Sequence, residues 1–200
     1  MKKFFWGFFF VFLNFNLNFN QYSLNILPDF AGYILLFQGM RELEEESRWF
    51  QSIRPFSTGM AVYTAILWLG DLLGVGSGSE YQQILTDILG LLAAIVALYV
   101  SWGLTQGVLE MESRRGADLN GQRIDKMWKA LAAVQIVNTV VGWMANLANI
   151  AALAALAVPL VIVGLVVIVL YLMAWWKAAG AWELLLCRED GGQEDSFPDM

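Results

Sequence analysis

The sequence predicts an all-α membrane protein of six transmembrane helices arranged as three hairpins, with a short β-hairpin on the outer face between helices 1 and 2. Three observations predict it. The chain of 200 residues is 58% hydrophobic and only 15% charged, with a mean hydropathy of +0.55, whereas a soluble domain carries about a quarter charged residues. Its apolar residues gather into six runs, each read against a hydrocarbon core that takes roughly 20 helical residues to cross. All twelve lysines and arginines fall on one side if the chain crosses the bilayer at each run, as the enrichment of basic residues in short cytoplasmic loops requires.

The first span, residues 3–14, follows Lys2 and Lys3. This start imitates the basic and apolar regions of a secretory signal, but no small-x-small cleavage motif follows, so it reads as an uncleaved anchor. The second span, 28–43, opens on Pro28-Asp29, which suits a helix start. Between them Leu13 to Asn20 alternates apolar and polar residues strictly, the period of a strand, and asparagine is a poor helix-interior residue. With Ser23 to Ile26 it predicts a hairpin turning near Gln21 and Tyr22. The hairpin reads either as a connector in the interface or as a cap over a cavity, and the connector is favoured. Such strands also explain why the first two spans look short.

Span three, 58–73, is preceded by Trp49 to Phe56, whose apolar residues at helical spacing beside Arg48 and Arg54 predict a segment lying in the inner interface. The glycine-rich Gly74 to Ser79 has no following lysine and reads as an outer turn rather than a phosphate loop. Spans four, five and six occupy 81–109, 124–147 and 158–186. The last stretch, 188–200, is acidic and poor in apolar residues, so disorder on the cytoplasmic side is expected. Residues 1–187 then form one membrane domain.

The basic residues orient this scheme. Lys2 and Lys3 precede span one, and Arg41, Arg48 and Arg54 lie between two and three. Arg114, Arg115, Arg123, Lys126 and Lys129 surround the connection from four to five, and Lys177 and Arg188 close span six. Both termini are therefore expected in the cytoplasm, in a plasma membrane.

Several classes of function are disfavoured. A net charge of −6 speaks against a nucleic-acid partner. Histidine is absent and Cys187 is the only cysteine, so there is neither a proton shuttle near neutral pH nor the commonest metal ligand. No cofactor or metal is expected, and no catalytic constellation is recognisable. The run Glu44-Glu45-Glu46-Ser47-Arg48 shares glutamates and an arginine with intramembrane CAAX-type proteases, but the spacing differs and their histidines are missing.

Asp29, Asp71, Glu80 and Asp87 map to outer helix ends where no basic residue is available. Carboxylates at membrane depth often mark a cation or proton path, although helix-dipole compensation explains part of this pattern. Span five places Gln135, Asn138, Gly142, Ala145 and Asn149 on one stripe with Asn146 beside it, which reads more readily as helix packing than as a solute-lining surface. Gly103 and Gly107 are a further close-packing signal. The candidate cation or solute site is accordingly Asp29, Asp71, Asp87, Asn138 and Asn146.

Leu27-Pro28-Asp29-Phe30-Ala31-Gly32 and Leu85-Thr86-Asp87-Ile88-Leu89-Gly90 share a pattern, as do Leu43-Glu44-Glu45-Glu46-Ser47 and Leu109-Glu110-Met111-Glu112-Ser113. A repeated hairpin and chance similarity between apolar helices both account for this. Through its asparagine-rich segment, Leu27 to Leu35 and Arg41 to Ser47, the first quarter of the chain resembles a group of small uncharacterised bacterial membrane proteins. The resemblance implies a bacterial plasma membrane and no particular activity. The expected function is that of a structural or accessory component that binds another membrane component, with the lipid bilayer and another membrane protein as the partners considered; the alternative is a small-solute or cation/proton transporter using the outer-half carboxylates.

Overall fold

A computed structural model describes the backbone of residues 1–12, 16–19, 22–25, 28–72, 80–148 and 151–194, and side chains over 1–12, 28–70, 88–142, 144 and 159–189. The elements are α1 (Lys2–Phe12), β1 (Asn16–Phe19), β2 (Tyr22–Asn25), α2 (Asp29–Glu42), α3 (Arg48–Leu72), α4 (Glu80–Arg115), α5 (Gly121–Ala148) and α6 (Ala151–Glu194). They divide into two compact units, residues 1–115 and 116–200.

The period-two segment forms an antiparallel pair in which Asn16 faces Asn25 and Phe19 faces Tyr22. Tight pairing up to Phe19 and Tyr22 leaves a two-residue connection, and β2 runs beside α3. α1 and α2, with 11 and 14 residues, rise only about 16 and 21 Å.

α3 starts ten residues before the expected span. Trp49 to Phe56 is its opening two turns rather than a separate interfacial segment, and the helix continues through Pro55. The physical reason is local. Ser47 accepts a hydrogen bond from the Trp49 N–H on Oγ, at 3.2 Å, and so supplies the N-cap that starts the helix, while Phe50 and Ile53 are fully buried on the face turned to α4. α6 also runs past its expected end: the stretch from Arg188 to Glu194, expected to be disordered, is helical. The alanine- and leucine-rich run ahead of it favours helix, and Arg188 and Glu189 continue it at little cost, whereas Gly191 and Gly192 each oppose it by about 1 kcal/mol. Residues 195–200 lie outside the described residues.

In the first unit consecutive helices run antiparallel. Lys3 pairs with Glu42, and an added Cβ on Gly32 would lie 2.7 Å from the Gly7 carbonyl oxygen and 2.7 Å from Val11. α2 meets α3 through the Phe30 and Trp68 rings, 5.7 Å apart, and through Ser57, whose buried hydroxyl donates to the Tyr33 carbonyl at 3.0 Å. α3 meets α4 through Trp49 and Trp102, at 4.9 Å, and Phe56 and Tyr99, at 5.0 Å. Phe4 reaches across to the Phe50 ring at 5.6 Å. The core therefore sits at one end of this unit, around Phe4, Leu36, Met40, Phe50, Leu104 and Met111.

Glycines allow the close contacts. A Cβ on Gly107 would lie 2.2 Å from the Phe50 ring, and one on Gly103 would lie 2.5 Å from Ile53. Close approach of this kind lets two backbones gain dispersion contact along their length.

The second unit is an antiparallel hairpin of α5 and α6. Asn120 Nδ2 donates to the Ala174 carbonyl at 3.4 Å, and further along α5 Val134 and Asn138 lie beside Gly164. Asn120 has a positive φ of 64°, a conformation that asparagine tolerates, and the Asp118 carboxylate accepts its N–H at 2.9 Å.

Among the described residues, two helical segments, 88–115 and 159–189, are long and apolar enough to cross a membrane. α1 and α2 are too short for that measure, and α3 and α5 dilute their apolar residues with charged or polar ones at their first turns. Apolar side chains nevertheless cover the outside of both long segments and of their neighbours: Ile66 is 64% exposed, Ile95 54%, Ile136 57% and Val161 61%.

Candidate functional site

Of the five residues singled out by the sequence, Asp29 and Asn138 have described side chains, and they belong to different units. Asp29 is the first residue of α2 and is half-buried, one turn before the buried Tyr33. Asn138 is half-buried on α5 in the other unit, with its amide nitrogen 3.6 Å from where a Gly164 Cβ would stand. Asp71 and Asp87 are helical, near the end of α3 and within α4, and Asn146 is in α5; the side chains of all three lie outside the described residues. The α5 stripe is only partly a packing surface. Asn138 faces α6, whereas Gln135 and Gly142 are exposed and nothing approaches Gly142 within 4 Å. Among the described residues no group of three histidine, cysteine, aspartate or glutamate side chains is placed to hold a metal ion.

What the fold does assemble is a polar cluster around the connection from α2 to α3. α2 ends at Glu42 and is capped by Leu43, whose carbonyl accepts the Glu46 N–H at 3.0 Å, closing a turn. That turn presents three acidic side chains and a serine in a row. Glu44 pairs with Arg54, one and a half turns into α3, and the same guanidinium lies 5.1 Å from the centre of the Phe37 ring, a cation–π contact. Glu46 takes Arg115 from the end of α4 in two-pronged fashion: Nε donates to Oε2 at 2.9 Å and Nη2 to Oε1. Ser47 is buried, and its hydroxyl donates to Glu110 Oε2 at 2.6 Å. Glu110 Oε1 in turn pairs with Arg114 at 2.5 Å.

The apolar part of α4 ends at Leu109, so Glu110 lies just past it. The Ser47 hydroxyl, and after it the Arg114 guanidinium, hold its carboxyl below the ordinary value of 4.5 against a partial desolvation that raises it. Glu45 is exposed. The cluster thus ties the α2–α3 turn to the end of α4, and its chemistry is that of a charge-compensated joint.

Sequence reasoning noted both acidic segments, 43–47 and 109–113, as echoes of each other. It missed that they meet. The pairs are 63 and 69 residues apart, and no local period announces such contacts. One signal was available: serine before an apolar run is an N-cap signature, and Ser47 stands immediately before Arg48-Trp49-Phe50.

Comparison of the chain with protein-family models, with curated proteins and with solved structures finds no match.

Proposed function

We propose that this chain is a multi-pass integral membrane protein of a bacterial plasma membrane, with both termini in the cytoplasm, acting as a structural or accessory component that binds another membrane protein. The observation that carries the reading is the outward-facing apolar surface of α3, α4, α5 and α6. Contiguous apolar surface on this scale is unfavourable in water and costs nothing against lipid tails. The antiparallel packing of α1 to α4 gathers Lys3, Arg54, Arg114 and Arg115 at one end of the first unit, which agrees with a single basic, cytoplasmic side. α1 and α2 are too short to cross alone, so in this scheme the β-hairpin completes the first crossing pair within the headgroup layer, where water satisfies its edges.

The accessory role is favoured because the buried polar side chains described in the first unit serve its own packing. Ser47, Ser57, Ser101 and Thr105 are buried and hydrogen-bonded to the chain itself, and Glu44, Glu46 and Glu110 are matched by arginines. Transport of a cation or small solute is the second reading, supported by the half-buried Asp29 at a helix start.

Cys187 is exposed and is the only cysteine, so orientation is read with a membrane-impermeant maleimide. Cys187 is expected to label only after permeabilisation, and Ser77→Cys in a Cys187→Ser background to label from outside. The opposite pattern overturns the orientation. Purification in mild detergent with mass spectrometry is expected to recover a stoichiometric membrane-protein partner; a reproducible small solute with no protein partner overturns the accessory role in favour of transport.

A further inference from the structure

We infer that the end of the α5–α6 hairpin carrying Arg123, Lys126 and Lys177 is a contact surface for anionic phospholipid headgroups. The inference rests on the membrane reading above and adds a lipid class to it. Arg123 and Lys126 stand one turn apart at the start of α5, and both are exposed, as i,i+3 neighbours on one helix surface. The Asn120–Ala174 hydrogen bond fixes the register of the hairpin, and Lys177 is one turn from Ala174 on α6, so it belongs to the same end. Lys177 is exposed too. None of the three forms an ion pair among the described residues.

Two of the acids nearby are already engaged. Asp125 pairs with Lys129 at 2.6 Å, and Asp118 accepts the Asn120 N–H. Over residues 116–130 three cations stand against two acids, and Lys177 adds a fourth cation, with Glu183 more than a turn and a half further along α6. Trp176, 53% exposed, neighbours Lys177, and an indole beside a lysine is what the headgroup level favours. The exposed arginines of the first unit differ in this respect. Arg41 and Arg48 flank the run from Glu42 to Glu46, in which the exposed Glu45 forms no ion pair among the described residues and so compensates part of their local field.

Phosphate diesters match this surface by charge and by reach. Anionic lipid attracts each nearby lysine or arginine strongly enough to change affinity on the order of fivefold per residue, and guanidinium adds paired donors for phosphate oxygens.

The test uses the full chain, delipidated in mild detergent and titrated with brominated phosphatidylglycerol or brominated phosphatidylcholine while tryptophan fluorescence is followed. Phosphatidylglycerol is expected to quench at lower mole fraction than phosphatidylcholine. The preference should shrink on the order of fivefold in Lys126→Gln and should be lost in the triple variant Arg123→Gln, Lys126→Gln, Lys177→Gln. Arg41→Gln with Arg48→Gln should retain it. Circular dichroism of each variant checks that helix content is unchanged. Equal quenching by the two lipids in the unaltered chain overturns the inference, and so does an equal loss in the Arg41 and Arg48 variant. Release of the chain from membranes by alkaline carbonate is a separate outcome, which overturns the integral-membrane reading itself.

Discussion

Ser47 and Glu110, 63 residues apart, share a 2.6 Å hydrogen bond from hydroxyl to carboxylate, while the same hydroxyl oxygen accepts the Trp49 N–H that opens α3. One side chain therefore both starts a helix and fastens it to the end of another. The two roles use different parts of the group: the proton goes to Glu110, and a lone pair goes to the backbone.

Ser47→Ala removes both interactions at once. Loss of an N-cap costs about 1 kcal/mol, and a hydrogen bond to a charged group about 1.5–3 kcal/mol, toward the lower end here because the contact is only partly buried. Since the two share one hydroxyl, a destabilisation of about 2 kcal/mol is expected, measured by unfolding the purified protein in mixed micelles with increasing SDS. Ser47→Thr keeps the hydroxyl and should retain most of the stability. In a double-mutant cycle with Glu110→Gln, a coupling below about 0.5 kcal/mol would show that the contact does not fasten the helices.

Glu110 makes this joint sensitive to acid. Its carboxyl is held below 4.5, chiefly by the Ser47 hydroxyl, so the folded state binds the proton less readily than the unfolded chain. The resulting stability is present above the unfolded value and is lost as pH falls through the lowered folded value. Thermal midpoints should therefore be flat near neutrality on this account and decline below about pH 4.5. Glu110→Gln should blunt that decline, and so should Ser47→Ala. An acid transition of the same depth in Glu110→Gln would assign the sensitivity to other carboxylates.

The helices were legible because long apolar runs carry their own signal, and the antiparallel order of α1 to α4 follows from short connections. Their true starts and ends were less legible. Trp49 to Phe56 read as a segment ahead of a span starting at 58, yet a cap at Ser47 and buried faces at Phe50 and Ile53 make it the opening of α3. At the candidate site the sequence weighed carboxylates by where they sit along each helix. It had no means of pairing Glu46 with Arg115 or Ser47 with Glu110, because such pairing depends on which helix ends meet in space. Gly103 and Gly107 were readable for the opposite reason, since a missing side chain at i and i+4 marks a contact surface whatever the partner is.

Arg115 tests whether geometry or charge holds the α2–α3 turn to α4. Its guanidinium engages both oxygens of Glu46, with the two side chains 26% and 21% exposed. Arg115→Lys keeps the charge and loses one of the two parallel donors. A loss of about 1 kcal/mol is expected, and raised salt should narrow the gap between variant and parent only slightly, because both side chains are mostly covered. Equal stabilities would mean that charge alone suffices.

The glycines allow a prediction of opposite signs within one chain. A methyl group on Gly107 would fall 2.2 Å from the Phe50 ring, and Phe50 is itself fully buried against Phe4, so the ring has little room to move aside. Gly107→Ala should therefore force α3 and α4 apart and cost about 1–3 kcal/mol. Gly59 in α3 and Gly142 in α5 are helical as well, but nothing lies within 4 Å of either. There the same substitution only restricts the unfolded backbone, and Gly59→Ala and Gly142→Ala should each stabilise by about 0.5–1 kcal/mol. SDS unfolding midpoints of the three variants measured side by side decide the matter. If Gly107→Ala matches the other two, α3 and α4 do not approach as closely as the Phe50 contact requires; if all three lose stability alike, Gly59 and Gly142 are not the open positions that their surroundings indicate.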